Sequence, residues 1–154
     1  MSDYTILDVL AEPAQVVGAR VRLAIAEGIQ DVATTAGTVS AATLRPLLLE
    51  RGISRDLMEK RMPAMLGAAV HKEALEWTGR YVPSGNTASR NDQRAVKEYR
   101  PTTPAALADW VDSYNYAFKR EVALTNAVRN QGAIRDLEAN RSTQEPLHRD
   151  GDAK

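Results

Sequence analysis

Few side chains in this chain have the types and spacing that catalysis or metal binding requires. The two histidines, His71 and His148, have no second histidine or cysteine at ligand spacing, and the chain contains no cysteine, so a zinc site is not expected. Carboxylate pairs such as Asp56 with Glu59 occur at spacings that solvated helix faces produce by chance. Phosphate-binding glycine loops and the Gly-x-Ser-x-Gly nucleophile motif are also missing. We therefore expect no metal, no cofactor and no enzymatic activity.

The positive charge of the chain is concentrated in its middle third. Net charge is zero overall, but residues 51–100 carry ten basic and six acidic side chains, a surplus of four. Residues 1–50 carry three basic and six acidic side chains, and residues 101–154 carry seven and eight. A local excess of lysine and arginine favours a polyanionic partner. Without cysteine or an apolar run long enough to span a bilayer, we expect a cytoplasmic protein with no membrane partner.

Helical periodicity and capping residues predict the first elements. A short helix is expected at about Thr5–Ala11, and a longer one runs from Pro13 to about Thr35, where Gly37 ends it. Ser40 is a good N-cap for a helix over Ala41–Arg51.

The next segment is predicted to be interrupted by a proline. Ser54 caps a further short turn, and Pro63 is expected to start a new helix that runs to about Ala74, because proline suits a first turn and not a helix interior. This places Lys60 and Arg61 at the N-terminal edge of that helix.

The rest of the chain predicts a hairpin and a last helix. Leu75–Val82 and Ala95–Arg100 are rich in strand-forming residues and flank a polar loop over residues 83–93. A long helix is expected from Pro104, because proline sits in its first turn. From about Arg141 the chain has no core-forming pattern and is expected to be a disordered tail.

Element order and four short stretches carry a resemblance to a known class of protein. A Ser-capped helix (Val39–Leu48) is followed by a Gly-Ala-containing helix (Met62–Glu76), a Gly-aromatic strand (Gly79–Ser84) and an aromatic-Arg-Pro strand (Arg94–Pro101). In this order they resemble the small winged-helix proteins common in phages and prophages of actinobacteria. The resemblance covers about residues 20–101.

The expected fold class is mainly α: a winged helix-turn-helix with a small β-hairpin wing and an additional long C-terminal helix. We expect N-terminal helices over residues 1–36, of which the second packs on the core. The winged helix-turn-helix follows over residues 37–101, a C-terminal helix over 102–140, and the tail over 141–154.

The resemblance implies binding of double-stranded DNA. The helix from Pro63 would enter the major groove, and the hairpin would lie along the backbone or in the minor groove. The candidate contacts are basic residues near the two helix ends, an arginine in the preceding turn, and the arginines and neutral donors of the hairpin: Arg55, Lys60, Arg61, Lys72, Ser84, Asn86, Thr87, Ser89, Arg90 and Arg94. Each basic residue alone has the alternative of a solvated surface charge, and only the set favours DNA.

An apolar stripe on the last helix has two interpretations. It either covers the core of the preceding domain or forms a helix–helix contact between two copies of the chain. We favour the homodimer, because the stripe continues past Val122. The residues assigned to it are Leu107, Trp110, Val111, Tyr114 and Phe118.

Three functions follow from these expectations. The first is a dimeric phage or prophage transcription regulator or DNA-binding adapter. The alternative is a winged-helix module that binds and modulates a host protein, which the acidic N-terminal third also suits. A third is an architectural adapter that links DNA to another assembly.

Overall fold

The chain is mainly helical, with one two-stranded antiparallel sheet and a long C-terminal helix. The computed structural model describes residues 13–84 and 94–152, with side chains up to residue 140. In chain order the elements are α1 (Ala14–Ala36), α2 (Ala41–Glu50), α3 (Arg55–His71), β1 (Leu75–Pro83), β2 (Ala95–Pro101) and α4 (Pro104–Asp152).

Local capping ends α1 and starts α2 where the sequence predicts. Gly37 has a φ of 81°, and its N–H donates to the carbonyl of Ala33. Ser40 forms a capping box with Thr43: the Ser40 hydroxyl accepts from the Thr43 N–H, and the Ser40 N–H donates to Thr43 Oγ1 at 2.9 Å. Gly52, with a φ of 87°, follows the end of α2. Because these residues satisfy the free backbone groups of the helix ends, the bounds predicted for both helices are confirmed to within a residue.

Helix α3 shows that the predicted break at Pro63 is wrong. The helix begins after Ser54, whose hydroxyl accepts from the Leu57 N–H, and it runs through Pro63 to His71. An interior proline removes one helical hydrogen bond and is usually destabilising. Both halves of α3, however, bury side chains in the same core, so tertiary packing outweighs the local cost. These side chains are Met58, Met62, Met65, Leu66 and Ala69.

Helix α4 extends beyond its predicted end. It runs from Pro104 to Asp152, through the segment after Arg141 that was expected to be a disordered tail. Elongating an existing helix adds a hydrogen bond with each residue and needs no new nucleus, so a helix can continue past its last packed residue. The short helix predicted at Thr5–Ala11 lies outside the described residues.

A single core joins three helices, the start of β1 and the first turns of α4. One compact unit of the chain ends at Phe118 and another begins at Lys119. The core of the first unit includes residues on both sides of residues 36 and 101, where the sequence analysis places boundaries. The physical reason is that residues 37–101 do not cover their own apolar faces. Residues from every part of the core are fully or almost fully buried: Ile25, Ile29, Leu44, Leu48, Met62, Leu66, Leu75, Leu107 and Trp110.

The hairpin of β1 and β2 contains a bulge. Trp77 pairs with Tyr99, and Tyr81 pairs with Lys97, so three residues of β1 lie opposite one residue of β2. Gly79, in the middle of the three, has a φ of 88°, a backbone conformation that is strained for residues with a Cβ and that glycine adopts readily. The bulge brings Trp77 and Tyr81 into ring contact, with their centroids 5.4 Å apart.

A strained residue connects α3 to β1. Glu73 has a φ of 62°, and its N–H donates to the Val70 carbonyl while the Ala74 N–H donates to the Ala69 carbonyl. These two bonds are the Schellman pattern that ends many helices, with glutamate where glycine is usual. The Thr102 N–H, from the end of the hairpin, donates to the Ala74 carbonyl at 3.1 Å and ties the turn in place.

We predict that Glu73→Gly raises the free energy of unfolding by about 0.5 kcal/mol. The left-handed conformation costs a residue with a Cβ about 1–2 kcal/mol, whereas the extra freedom of glycine in the unfolded chain costs about 0.5–1 kcal/mol. Urea denaturation followed by circular dichroism measures the difference. Glu73→Gln, which keeps the Cβ and removes the charge, is the control and should match the wild type. A Glu73→Gly variant that is less stable than Glu73→Gln would contradict the role of strain.

Candidate nucleic-acid interface

A buried arginine fixes the hairpin against the helices. Arg45 of α2 is 7% exposed. Its Nε donates to Glu59 Oε1 of α3 at 2.8 Å, and its Nη1 donates to the carbonyl of Ser84, just after β1, at 2.7 Å. The Ser84 N–H in turn donates to the carbonyl of Arg94 at 2.7 Å, across the base of the segment 85–93. Both ends of that segment are therefore held beside α3.

A backbone bridge fixes the other edge of the hairpin. Val39, between α1 and α2, exchanges two hydrogen bonds of 2.8 Å with Tyr99 of β2. Nearby, Glu98 accepts hydrogen bonds from the hydroxyls of Thr38 and Thr78. Strand β2 thus lies between β1 and the α1–α2 connection, and the hairpin is joined to the helices on both sides.

The basic residues predicted on α3 occupy different positions from those expected. Because the helix starts at Arg55, Lys60 and Arg61 are its sixth and seventh residues and do not lie at its N-terminal edge. Arg55 is the first helical residue and not part of the preceding turn. Lys60 is exposed, Arg61 is half-buried, and Lys72 caps the opposite end of α3.

Of the residues predicted on the hairpin, Arg94 is exposed just before β2. Ser84, in contrast, is 4% exposed, so its hydroxyl does not face a ligand; the residue serves instead as a backbone partner of Arg45. The other four predicted contacts, Asn86, Thr87, Ser89 and Arg90, lie outside the described residues.

Ion pairing separates the cations of this region into two groups. Arg45 pairs with Glu59, Arg51 with Asp31, Arg80 with Glu98, and Arg100 with Glu76. The second group is exposed, and no described acidic side chain forms an ion pair with its members: Arg55, Lys60, Lys72, Arg94 and Lys97. Their charges are available to an anionic partner.

Sequence reasoning missed an aromatic cluster on the hairpin. Trp77 and Tyr81 were treated only as strand-forming residues, but they are 42% and 57% exposed. Lys97 Nζ lies 4.9 Å from the centroid of the Trp77 ring. Partial burial and the neighbouring Tyr81 raise the pKa of the Tyr99 phenol. A glycine inside a strand, here Gly79, is typical of a bulge, and this could have been recognised from the sequence. The pairing of the two strands across the bulge could not be predicted from the sequence.

The middle of the exposed face of α3 is made of small residues. After Lys60 the exposed positions include Pro63, Ala64 and Gly67, and a Cβ added at Gly67 would meet no atom within 4 Å. These residues carry no side-chain donor or acceptor that could contact a base edge. Any reading of sequence by this helix must therefore come from side chains nearer its two ends.

An open groove of about 610 Å³ lies where the end of α3, the start of β1 and the start of α4 meet. Its lining combines apolar surface with two carboxylates and two hydroxyls: Val70, Glu73, Leu75, Glu76, Trp77, Thr102, Thr103 and Ala106. In the described part of the chain, no cluster of histidine, aspartate and glutamate suits a metal ion.

The residues assigned to a dimer contact pack within their own chain. Leu107, Trp110 and Val111 are buried in the core, and Tyr114 packs against it. The guanidinium of Arg20 lies 4.8 Å from the centroid of the Phe118 ring. The stripe therefore does what the first interpretation of the sequence described: it covers a core that contains few other aromatic residues.

Comparison of the chain with protein-family models, curated proteins and solved structures yields no match. Among the described helices, none has the length and apolar character needed to cross a membrane.

We predict that Arg45→Met lowers the free energy of unfolding by about 2–3 kcal/mol. The substitution leaves the Ser84 carbonyl and the Glu59 carboxylate without their donor, and Glu59 is partly solvated, which limits the loss. Urea denaturation provides the measurement. In the double variant Arg45→Met/Glu59→Leu no charge is left without its partner, so part of the stability should return. If the double variant is as unstable as the single one, the pairing with Glu59 is not what stabilises this junction.

Proposed function

We propose that residues 14–101 form a winged helix-turn-helix and that this unit binds double-stranded DNA. The observation that carries the proposal is the two-bond bridge between Val39 and Tyr99. The chain order is helix α1, a short extended segment at Val39, helices α2 and α3, and then the hairpin of β1 and β2. The bridge joins β2 of the hairpin to the extended segment before α2. Supporting this, Arg45 holds the hairpin base beside α3, the arrangement that two-point docking on a duplex needs.

The proposed contacts are the exposed cations that form no ion pair with an acidic side chain of the described residues. Arg55 and Lys60, on the N-terminal half of α3, meet the major groove and its flanking phosphates. Arg94 and Lys97, on the hairpin, meet the adjacent backbone. Lys72 reaches phosphate from the other end of α3. Lysine and arginine contacts of this kind release counterions and supply most of the affinity for DNA without reading sequence.

The composition of α3 favours an adapter over a regulator with a strict operator. Base reading in the major groove relies on arginine, asparagine, glutamine or similar side chains that face the base edges. Between Lys60 and Val70 the exposed positions of α3 are Pro63, Ala64 and Gly67, which offer none of these groups. We therefore propose binding dominated by phosphate contacts, with modest preference among sequences.

Dimerisation would raise the affinity of such weak contacts, and we propose that α4 supplies it. The residues first assigned to this role are occupied by the core, so the contact has to use side chains farther along the helix. Leu124 and Val128, one helical turn apart on the same face of α4, are 50% and 68% exposed. Two exposed apolar side chains on one face of a helix favour a partner helix.

A second candidate function is a module that binds a host or phage protein. The small residues Pro63, Ala64 and Gly67 favour it, because a face without bulky side chains allows another backbone to approach closely. In this case the exposed cations would bind an acidic protein surface instead of DNA phosphates.

We predict that duplex DNA binding weakens steeply with salt and that Lys60→Ala/Arg94→Ala reduces the salt dependence. Each phosphate contact that is lost should lower the slope of log affinity against log salt by about 0.9. Mobility shifts of a random-sequence duplex over a salt series measure both quantities. Arg51→Ala removes an arginine that is paired with Asp31 and is the matched control, with an expected slope equal to wild type. Absence of a shift at low salt would reject DNA binding and favour the protein-binding module.

We predict that the full chain is a dimer and that Leu124→Glu/Val128→Glu is a monomer. Two carboxylates placed on the proposed contact would have to lose their hydration on association. Light scattering after size exclusion gives the mass, and circular dichroism checks that helicity is kept. Asn126→Glu/Asn130→Glu introduces the same charges at the same spacing on another side of α4 and should remain dimeric. A monomeric wild-type chain would remove the dimer from the proposal.

A further inference from the structure

Two neighbouring aromatic side chains of the hairpin are exposed. Trp77 and Tyr81 form an edge-to-face pair with an interplanar angle of 69°, and Lys97 lies over the Trp77 ring. We call these three residues the hairpin platform. The chain has only eight aromatic residues, and Trp110 is the sole aromatic in the buried core of the described residues. Two large rings on the surface of a chain that has so few aromatics in its core point to a binding role.

Hydrogen bonds hold the Trp77 ring of the hairpin platform and the backbone of the bulge in place before any ligand arrives. Trp77 Nε1 donates to the Arg80 carbonyl at 3.0 Å, which sets the orientation of the indole. The Arg80 N–H donates to the Thr78 hydroxyl at 3.2 Å, and the Thr78 hydroxyl donates to the carbonyl of Glu98 across the sheet. The bulge at Gly79 is therefore held by hydrogen bonds on both strands. A surface whose side chains are already ordered loses little entropy when it binds.

Positive charge surrounds the hairpin platform. The Arg80 side chain is 74% exposed, and its Nε is a long 3.9 Å from Oε1 of its acidic partner Glu98. Lys97 and Arg94 have no ion-pair partner among the described residues. Glu76, the nearest carboxylate along β1, is paired with Arg100 at 3.0 Å. The rings therefore lie in a field that favours an anion.

We propose that the hairpin platform is a stacking site for unpaired nucleobases of single-stranded nucleic acid. A nucleotide combines a flat aromatic face with a negative phosphate in each repeating unit, which matches two exposed rings among cations. In a duplex the base faces are covered by their neighbours, so only a single strand can use the two rings, although Lys97 and Arg94 are also among the phosphate contacts proposed for double-stranded DNA. A base stacks on Tyr81 and the exposed part of Trp77, and Lys97, Arg80 and Arg94 contact the phosphates on either side.

Intrinsic fluorescence tests the proposal directly on the full chain. Trp77 and Trp110 are the two tryptophans, and Trp110 is 6% exposed in the core, so quenching by a stacked base reports on Trp77. Three probes of equal length are titrated at low salt: oligothymidylate, oligouridylate and an abasic deoxyribose-phosphate strand. We expect the first two probes to quench the fluorescence. The abasic strand should bind more weakly by about tenfold or more, because stacking contributes much of the affinity. The first two probes also distinguish a DNA ligand from an RNA ligand.

Variants separate stacking from charge. Fluorescence anisotropy of a labelled oligothymidylate should show about tenfold weaker binding for Trp77→Ala and for Tyr81→Ala, and Trp77→Phe, which keeps a flat ring, should retain most of the affinity. Tyr116→Ala is the matched control, because Tyr116 is the most exposed aromatic of the described chain, at 71%, and lies on α4. Circular dichroism verifies that each variant is folded.

The outcomes for single-stranded and double-stranded ligands can be told apart, because only the single-stranded ligand is proposed to contact the two rings. If oligonucleotides neither quench the fluorescence nor change the anisotropy, the stacking site is rejected and the exposed rings are left for a protein partner. Equal affinity for the abasic strand, or an equal loss in Tyr116→Ala, rejects it as well. Mobility shifts of duplex DNA complete the comparison, and Trp77→Ala should bind the duplex as the wild type does. For the wild-type chain, duplex binding without oligonucleotide binding rejects only the stacking site, and the reverse rejects only the proposed duplex function.

Discussion

The positions of α3 and the hairpin depend on the hydrogen bonds that the Arg45 guanidinium donates. It links α2 to Glu59 of α3 and to the Ser84 carbonyl at the end of β1, at a position where the side chain is almost completely buried. A guanidinium presents its donors in a rigid planar fork, so two acceptors in fixed directions place α3 and the hairpin relative to each other. An uncompensated charge at this depth would be costly, and therefore the three elements adopt their positions together.

The backbone between α3 and β2 determines which side chains the hairpin presents. Glu73 turns the chain out of α3 in a left-handed conformation, and Gly79 allows the bulge that follows. Because the bulge adds two residues to one strand, Trp77 and Tyr81 meet on one face and remain exposed. Meanwhile aliphatic and methionine side chains fill most of the core. The hairpin thus combines exposed rings with positive charge, and the strained turn at Glu73 comes directly before it.

Much of the helical architecture could be predicted from the sequence, and the failures have a common cause. Gly37, Ser40 and Gly52 act on backbone groups within a few residues of themselves, so they mark the ends of α1 and α2 correctly. Pro63 is also a local signal, but the buried methionines on both sides of it decide that α3 continues. Similarly, the stripe from Leu107 to Tyr114 was correctly identified as apolar, but its partner depends on the core left open by residues 37–101.

The sequence by itself determined the element order, the positive surplus of residues 51–100 and the scarcity of groups suited to catalysis, because each follows from residue types and short-range periodicity. Only the tertiary structure decided which charges are free. Arg45 and Lys60 are both basic residues of α-helices, but Arg45 is buried and paired with Glu59, whereas Lys60 is exposed to solvent. The same distinction separates Trp110, which the core buries, from Trp77, which the bulge exposes. Burial and ion pairing depend on contacts with residues that are distant in the chain, and these contacts cannot be predicted from a local sequence pattern.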